Sequence, residues 1–297
     1  MTTFPQHRPR PADPPSLAWT PAEPPRRVWT PGAAPPERPP EPHEAPPHWL
    51  LLSTDPGRAI GEAALSAVGR AILRAAPRGD GHPVVVLPGL GGGDASTFVL
   101  RRTLRRLGYA VHGWNLGRNN GPTADVIRHV PGLVAELANR YGRRVSIVGW
   151  SLGGIYAHAA ARAHPDRVRQ VITLGSPIRM THPAQTHAMV YYKLHAHRHV
   201  PEHLLPPSEV VQPPLTMPAT SIFSRWDGIV SYRASMHPPY ERHENIATVS
   251  SHFGLGHHPA VLWAVADRLA QPESGWRPFE PPTMLMPLFP APPGPDE

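Results

Sequence analysis

Short apolar runs alternate with amphipathic segments from residue 83 onward. Unbroken apolar runs of about five residues are typical of strands buried on both faces, and the segments between them place apolar residues at helical spacing. The pattern predicts strands at 83–87, 110–114, 144–148, 170–174, 220–223 and 245–249, and helices at 95–107, 123–141 (broken at Pro131), 151–164 and 259–270. This alternation predicts an α/β domain whose mostly parallel sheet is covered by helices on both faces.

Residues 57–75 precede the alternation and have a different pattern. Apolar residues recur at spacings of three and four from Ile60 to Ile72, which predicts an amphipathic helix. The segment is too short and too polar to span a bilayer. We expect this helix to dock on the α/β domain.

The segment 177–218 interrupts the alternation between two predicted strands. It holds eight prolines and six histidines in 42 residues, with a short amphipathic helix predicted at 188–194. A connection of this length is typical of a functional insertion, so we predict a Pro/His-rich, lid-like element. If its histidines lay on a strand, His195, His197 and His199 would share one face as metal ligands. Chance enrichment in an exposed segment is the interpretation we favour, and a protonation-sensitive lid is a further alternative.

Proline is concentrated at the two ends of the chain. Of 43 prolines, sixteen fall in residues 1–48 and eight in residues 278–297. Fixed φ angles and missing N–H donors oppose helices and strand ladders, and few apolar residues are present to offset the entropy of ordering. We therefore predict disordered tails at 1–48 and 278–297, flanking one α/β domain at 49–277.

The remaining composition excludes several classes of protein. There is no cysteine, which removes disulfides and thiol nucleophiles. Neither a signal peptide nor a membrane-spanning stretch is evident, so we expect a cytoplasmic protein. The net charge of +7 comes from scattered arginines on solvated faces, which does not favour nucleic acid as a partner. Peripheral contact with a lipid surface is a second interpretation of that charge, and the oligomeric state is left open.

The segment Gly149-Trp-Ser151-Leu-Gly153 matches the pattern G-x-S-x-G. It directly follows a predicted strand and precedes a predicted helix, the context in which this pattern holds a nucleophilic serine on a sharp turn. Glycines suit a turn where the backbone passes close to itself. We predict Ser151 as a nucleophile, with a purely structural turn as the alternative.

A serine nucleophile needs a base, and the base needs an acid to orient it. In this architecture the acid and the histidine follow the serine in that order, on loops after later strands. Asp227 follows the predicted strand 220–223, whereas Asp166 lies in a helix-to-strand loop at the other edge of the sheet. We predict Asp227 as the acid, with an ordinary turn aspartate as the alternative.

Three histidines compete for the role of base. His252 follows the last predicted strand and precedes the closing helix, while His257 and His258 abut Pro259 at the start of that helix. We expect His257 and His258 to be solvent-exposed near the N-terminus of that helix. We predict His252 as the base.

Acyl chemistry also needs N–H donors aimed at the developing oxyanion. One is the backbone N–H of the residue after the nucleophile, Leu152. The glycine-rich loop Leu87-Pro-Gly-Leu-Gly-Gly-Gly93 follows an early strand, where a second donor is expected. The loop lacks Gly-Lys-Ser/Thr and G-x-G-x-x-G spacing, so it does not indicate a nucleotide site.

These segments resemble the α/β-hydrolases, and more closely the small bacterial lipases and esterases of that fold, over about residues 82–270. Besides the serine motif, the resemblance is carried by Val85-Val-Leu-Pro-Gly-Leu-Gly-Gly92, Asn119-Asn-Gly-Pro122, Val171-Ile-Thr-Leu-Gly-Ser-Pro177, Thr220-Ser-Ile-Phe-Ser-Arg-Trp-Asp-Gly-Ile-Val230 and Ser251-His-Phe-Gly-Leu255. It implies the α/β-hydrolase fold, a Ser151–His252–Asp227 triad, and oxyanion donation by the N–H of Leu90. The chain departs from many such lipases at Trp150, where they have histidine, and in the length of the 177–218 insertion.

The sequence therefore predicts a serine hydrolase that cleaves carboxylic esters through an acyl-enzyme, without cofactor or metal. The resemblance and the apolar residues of the insertion favour lipids or other hydrophobic acyl esters as small-molecule substrates. An acyltransferase with the same triad is one alternative, and a non-catalytic interaction protein of the same fold is another.

Overall fold

Six parallel strands form the centre of the molecule in the computed structural model, which describes residues 44–294 of the chain. Each strand pairs in parallel with its neighbours, in the order β2-β1-β3-β4-β5-β6. The strands are β1 Pro83–Leu87, β2 Ala110–His112, β3 Val145–Trp150, β4 Val168–Leu174, β5 Ala219–Ser224 and β6 His243–Thr248. All six strands predicted from the apolar runs are present.

Eight α-helices surround or extend this sheet. They are α1 Trp49–Val68, α2 Arg70–Arg74, α3 Phe98–Arg106, α4 Ala124–Tyr141, α5 Leu152–Ala163, α6 Met189–Leu194, α7 Tyr232–Ser235 and α8 Pro259–Ala270, counted within residues 44–294. Right-handed crossovers between parallel strands place helices on both faces of a sheet. The predicted α/β architecture is confirmed.

The apolar side chains form two layers, one on each face of the sheet. Alternate residues of β1 point to opposite faces: Val84 and Val86 pack with α3 and α8, whereas Val85 and Leu87 pack with α4 and α5. Both sides of the strand are therefore buried, which explains why its sequence is an unbroken apolar run.

Two prolines lie inside helices, against the sequence prediction. The predicted break at Pro131 is wrong, because α4 runs without interruption from Ala124 to Tyr141. Its buried face packs on the sheet, and this burial outweighs the hydrogen bond that proline cannot donate. Helix α1 likewise contains Pro56 and begins at Trp49, eight residues before the predicted start.

Residues 278–294 pack against the domain, which corrects the disordered tail expected there. Leu285 is buried in a short 3-10 turn, and Phe279 and Phe289 pack against the core layer that holds α8. The carbonyl of Leu288 accepts a hydrogen bond from Val249 N. These three apolar side chains are spaced along the proline-rich segment, and their burial stabilises it against the domain. Residues 1–43 and 295–297, also predicted to be disordered, lie outside the described residues.

The insertion between β4 and β5 has the short helix that its sequence predicts, α6. Three 3-10 turns, Pro183–Gln185, Ala196–Arg198 and Glu202–Leu204, make up its remaining helical structure within the described residues. Over residues 44–294, no helix is long and apolar enough to cross a membrane.

The sheet and the insertion together enclose a stack of histidine rings. The ring of His237 lies 5.3 Å from that of His158 and 5.2 Å from that of His243, centroid to centroid. Burial, together with the charges of the two neighbouring histidines, holds the pKa of His237 well below 6.5. Burial also lowers the pKa of His243. Both rings are therefore neutral in the folded protein near neutral pH.

This stack predicts that stability falls at mildly acidic pH. Below 6.5 the unfolded chain binds a proton at position 237 that the folded chain resists, so the free energy of unfolding decreases as pH drops through that value. His237→Phe keeps an aromatic ring but cannot be protonated. We expect it to lose less thermal stability than the wild type between about pH 7.5 and about pH 5. Circular-dichroism melts measure this difference.

The matched control is His197→Gln, at an exposed position in the insertion. We expect this variant to keep the wild-type dependence of melting temperature on pH. Equal acid destabilisation of the wild type and His237→Phe would contradict the prediction.

Candidate active site

Ser151 occupies a strained backbone conformation between β3 and α5. Its φ of 52° and ψ of −122° lie in a region that residues with side chains rarely adopt. Its N–H donates to the carbonyl of Leu174, the last residue of the adjacent strand. Strain of this kind persists only where the surroundings enforce it, and this turn matches the nucleophile elbow of the predicted motif. Together with the parallel sheet order, it agrees with the α/β-hydrolase fold expected from the sequence.

Close backbone contacts around Ser151 require glycine. A Cβ on Gly149 would lie 2.5 Å from the carbonyl oxygen of Gly153, and one on Gly153 would lie 2.4 Å from the carbonyl oxygen of Leu87. A Cβ on Gly154 would collide with the side chain of Ser176. The glycines in the motif thus let β1, β3 and α5 meet at the serine, as the pattern predicts.

Asp227 and His252 form a buried pair at the same edge of the sheet. Asp227 lies in the acid loop, residues 225–231, and His252 lies in the base loop, residues 249–258. Asp227 Oδ2 and His252 Nδ1 are 2.6 Å apart, and the two side chains are almost fully buried. Asp227 Oδ1 accepts the backbone N–H groups of Ile229 and Val230, which fixes the carboxylate. A proton on Nδ1 leaves Nε2 as the basic nitrogen of the imidazole.

The other candidates for acid and base are engaged elsewhere. His257 Nε2 contacts the carbonyl of Ala59 in α1, and His258 Nδ1 accepts the N–H of Ala260 at the start of α8. Asp166 is exposed at the opposite edge of the sheet, beside Arg167. Among the acid and base candidates, Asp227 and His252 are hydrogen-bonded to each other. His258 is buried and His257 is half-buried, so the solvent exposure expected for them is wrong.

Gly175 connects Ser151 to this pair. It follows Leu174, whose carbonyl binds the N–H of Ser151. A Cβ on Gly175 would lie 3.0 Å from Asp227 Oδ2 and 3.2 Å from His252 Nδ1. The three predicted residues therefore converge on the carboxyl end of β4. No hydrogen bond joins Ser151 Oγ to His252 in the described part of the chain, and such contacts commonly tighten only in the complex with substrate.

Two backbone N–H groups border the serine without an acceptor. The loop after β1 passes so close that a Cβ on Gly89 would lie 3.0 Å from Ser151 Cβ. Within residues 44–294, the N–H groups of Leu90 and Leu152 donate to no protein acceptor. Unpaired donors beside a nucleophile form the arrangement expected of an oxyanion site.

Asn119 holds the loop after β1 in place. Its backbone N–H donates to Gly92 O, its carbonyl accepts the N–H of Gly91, and its side-chain Nδ2 lies 2.9 Å from Pro88 O. The side chain is fully buried. No role for Asn119 is evident from sequence beyond its family-like segment, because the loop that it contacts lies about 30 residues away in the chain.

The insertion contacts the loop after β1 and the acid loop, which both border the site. On one side, Tyr191 of α6 packs near Gly91, and its hydroxyl lies 3.3 Å from Asn120 Oδ1. On the other side, His187 N donates to Ile229 O next to the acid loop's aspartate. The lid-like role of the insertion stays a prediction.

The metal interpretation of the insertion's histidines is not supported by their geometry. Residues 196–198 form a 3-10 turn rather than a strand. His195 Nδ1 contacts Tyr191 O, His199 Nε2 contacts Asn120 O, and His197 is exposed. The three imidazoles therefore do not share one face.

The surroundings of His252 favour its protonated form. Burial lowers its pKa, but the charge of Asp227, the hydrogen bond to that carboxylate and the charge of Asp55 outweigh burial, so the pKa of His252 is raised above 6.5. An imidazole tuned in this way suits a base that must hold a proton transiently.

A second serine–histidine–aspartate arrangement lies at the opposite edge of the sheet. His82 Nδ1 is 2.5 Å from Asp80 Oδ1, and His82 Nε2 is 3.0 Å from Ser146 Oγ. Ser146 is fully buried within β3, so no substrate reaches its hydroxyl. Ser146 pairs with Val84 of β1 and Gln170 of β4 inside the sheet. This arrangement is structural.

Comparison with known proteins gives only partial similarity in sequence. No family model matches the chain. A pimeloyl-[acyl-carrier protein] methyl ester esterase of Aeromonas hydrophila is 37% identical over 70 residues, which is 23% of this chain. The match spans 28% of the length of that esterase.

Several solved structures are similar at low identity. A pyrethroid hydrolase from Sphingobium faniae has a TM-score of 0.46 and 19% identity, covering 64% of this chain and 97% of the hydrolase. Aspergillus fumigatus lipase B has a TM-score of 0.49 and 18% identity, covering 67% of this chain and 57% of the lipase. An alpha/beta superfamily hydrolase from Oenococcus oeni has a TM-score of 0.45 and 16% identity, covering 64% of this chain and 92% of that hydrolase.

The paired carboxylate makes a direct prediction about the imidazole. Asp227→Asn removes the charge and weakens the hydrogen bond, so burial is then opposed only by Asp55. We expect the pKa of His252 to fall in this variant, measured by NMR titration of the ring protons. Asp166→Asn is the control and should leave that pKa unchanged. The same pKa in the wild type and Asp227→Asn would contradict the assignment.

Proposed function

We propose that this protein is a serine hydrolase that cleaves carboxylic esters through an acyl-enzyme. The observation that carries the proposal is the strained turn at Ser151, which lies beside two unpaired N–H donors and shares the carboxyl edge with the buried Asp227–His252 pair. The serine, the Asp227–His252 pair and the N–H donors each have one role in acyl transfer. The nucleophile follows β3 near the centre of the sheet, where loops from neighbouring strands on either side converge.

In the first half of the reaction, Ser151 Oγ attacks the acyl carbonyl while His252 Nε2 takes the hydroxyl proton. The N–H groups of Leu90 and Leu152 donate to the oxyanion, and one such donor contributes about 3 kcal/mol to transition-state stabilisation. Asp227 holds the imidazole in the required tautomer and stabilises its positive charge. Collapse of the tetrahedral intermediate transfers the proton to the departing alcohol and leaves the acyl group on Ser151.

In the second half, water attacks the acyl-serine ester. His252 Nε2 removes a proton from this water, and the same two N–H groups bind the second oxyanion. Collapse releases the carboxylic acid and returns the proton to Ser151 Oγ. No metal or cofactor takes part in these steps.

Hydrophobic acyl esters are the substrates that the surroundings favour. Val190 and Leu194 of α6 are largely exposed, and Trp226 and Phe253, the neighbours of the acid and the base, are about half exposed. Exposed apolar side chains near a polar reaction centre suit a ligand with an apolar chain. Turnover across a series of p-nitrophenyl esters of increasing chain length measures this preference.

Covalent labelling tests the nucleophile. We expect a fluorophosphonate probe to label the wild type and not Ser151→Ala. His252→Ala should lower p-nitrophenyl ester turnover by about 1000-fold, because the serine then lacks its base. Turnover in the wild type should fall as pH drops through the pKa of His252, which lies above 6.5, since only the neutral imidazole accepts a proton.

His257→Ala is the control for the base, since His257 contacts Ala59 rather than the acid loop. It should retain most of the turnover. A folded wild-type protein that neither reacts with the probe nor hydrolyses esters would instead support the non-catalytic alternative.

A single methyl group at Gly175 tests the geometry of the pair. Gly175 has a φ of +53°, and a Cβ there would press on Leu255, Asp227 and His252. We expect Gly175→Ala to lower kcat by at least about tenfold, because small displacements of catalytic groups are costly. Gly132→Ala, in open space on α4, is the matched control and should leave kcat unchanged. Equal kcat in the two variants would show that the pair tolerates displacement.

A further inference from the structure

Helix α1 presents two carboxylates to the loops of the site. Asp55 and Glu62 are seven residues apart, which places them on one face of the helix about two turns apart. Asp55 is fully buried. Glu62 accepts Ser251 N at 2.8 Å and Ser250 Oγ at 2.9 Å in the base loop. Buried carboxylates persist only where strong donors satisfy them.

The carboxylate of Asp55 binds the acid loop and the base loop at once. Oδ2 accepts the N–H of Gly228 at 2.9 Å and the N–H of His252 at 2.9 Å. Oδ1 accepts the N–H of Phe253 at 3.1 Å. The two loops are separated by about 25 residues in the chain, yet one side chain binds the residue after the acid and the backbone of the base itself.

The helix backbone also approaches the acid loop closely. A Cβ on Gly228 would lie 2.3 Å from Leu51 O, so glycine is required there. Arg58 reaches across this contact: its guanidinium donates to Trp226 O at 2.8 Å and to Leu51 O at 3.0 Å, and lies 3.3 Å from Asp55 Oδ2. Helix α1 is therefore fastened to the acid loop by backbone, carboxylate and guanidinium contacts.

The charge of Asp55 acts on the imidazole of His252. The charged groups that face His252 are Asp227 from the acid loop and Asp55 from α1, with Arg58 against Asp55 and Glu62 further along the same helix. Burial lowers the pKa of His252, and the charges of Asp227 and Asp55 raise it. The Arg58 guanidinium partly offsets the charge of Asp55.

We propose that Asp55 is a positioning residue of the site: it fixes the acid loop to the base loop, and its charge stabilises the imidazolium that His252 forms during the reaction. The role rests on the proposed function. Removing the charge of Asp55 and removing the charge of Arg58 should therefore change the stability of the His252 imidazolium in opposite directions. A residue that acts only in folding would not produce opposite changes.

The test uses the full chain as wild type, Asp55→Asn and Arg58→Met, each first compared by circular dichroism and melting temperature. NMR titration then gives the pKa of His252 in each protein. We expect a lower pKa in Asp55→Asn and a higher pKa in Arg58→Met, relative to the wild type. In ester turnover, the acidic limb of the kcat/KM profile should move in the same directions. The kcat of Asp55→Asn should fall by about tenfold with little change in KM.

Asp166→Asn is the control, a carboxylate-to-amide change at an exposed position at the opposite edge of the sheet. It should leave the pKa of His252 unshifted. The proposal would be overturned if the pKa of His252 in Asp55→Asn and Arg58→Met equalled that of the wild type, or if it moved in the same direction in both variants.

Two features keep the result decisive. If Asp55→Asn fails to fold, Arg58→Met still tests the electrostatic claim, because Arg58 is partly exposed and its removal leaves the buried carboxylate bonds in place. The NMR titration requires no turnover. Failure of the wild type to react with the fluorophosphonate probe therefore rejects the proposed function, whereas unshifted pKa values reject the role of Asp55.

Discussion

The close approach of three backbone segments at Ser151 is the constraint on which the site depends. The carbonyls of Leu87 and Gly153 occupy the space where side chains on Gly153 and Gly149 would lie, so β1, β3 and α5 meet only because these positions are glycine. That contact enforces the positive φ of Ser151 and brings the glycine-rich loop after β1 against it. The proposed nucleophile and the unpaired N–H donors therefore depend on the same backbone contacts.

The loops at this edge lack the regular hydrogen bonding of a sheet, and buried polar side chains replace it. Asn119 supplies both donors and acceptors to the loop after β1, and Asp55 accepts three N–H groups from the acid and base loops. A buried N–H left without a partner costs about 1–3 kcal/mol, so these side chains stabilise loop conformations that the loops alone do not favour. Segments outside the sheet therefore determine where the candidate catalytic side chains lie, and helix α1 contributes to the site as the strands do.

The sequence predicted the strands and singled out the candidate site residues because both leave local signals. Apolar runs of this length predict strands that are buried on both faces. The serine motif, the later aspartate and the histidine each follow a strand in the expected order. Three proline-containing segments differ from their predicted structure. Helix α4 continues through Pro131, helix α1 contains Pro56, and residues 278–294 pack on the core. In α4 and in residues 278–294, burial of apolar side chains outweighed the local preference. Helix α1 is instead attached by polar contacts of Asp55, Arg58 and Glu62. A window of sequence contains neither kind of contact.

What the sequence determined by itself was the α/β architecture and the identity of Ser151, Asp227 and His252 as the residues to consider, since spacing and chain order are properties of the chain alone. Only the tertiary structure decided which histidine pairs with the aspartate, that Asp80, His82 and Ser146 form a similar but inaccessible arrangement, and that Asp55 binds both loops. The reason is physical: a hydrogen bond depends on distance and burial in space, and residues 25 to 197 positions apart in the chain carry no pattern that reports their contact.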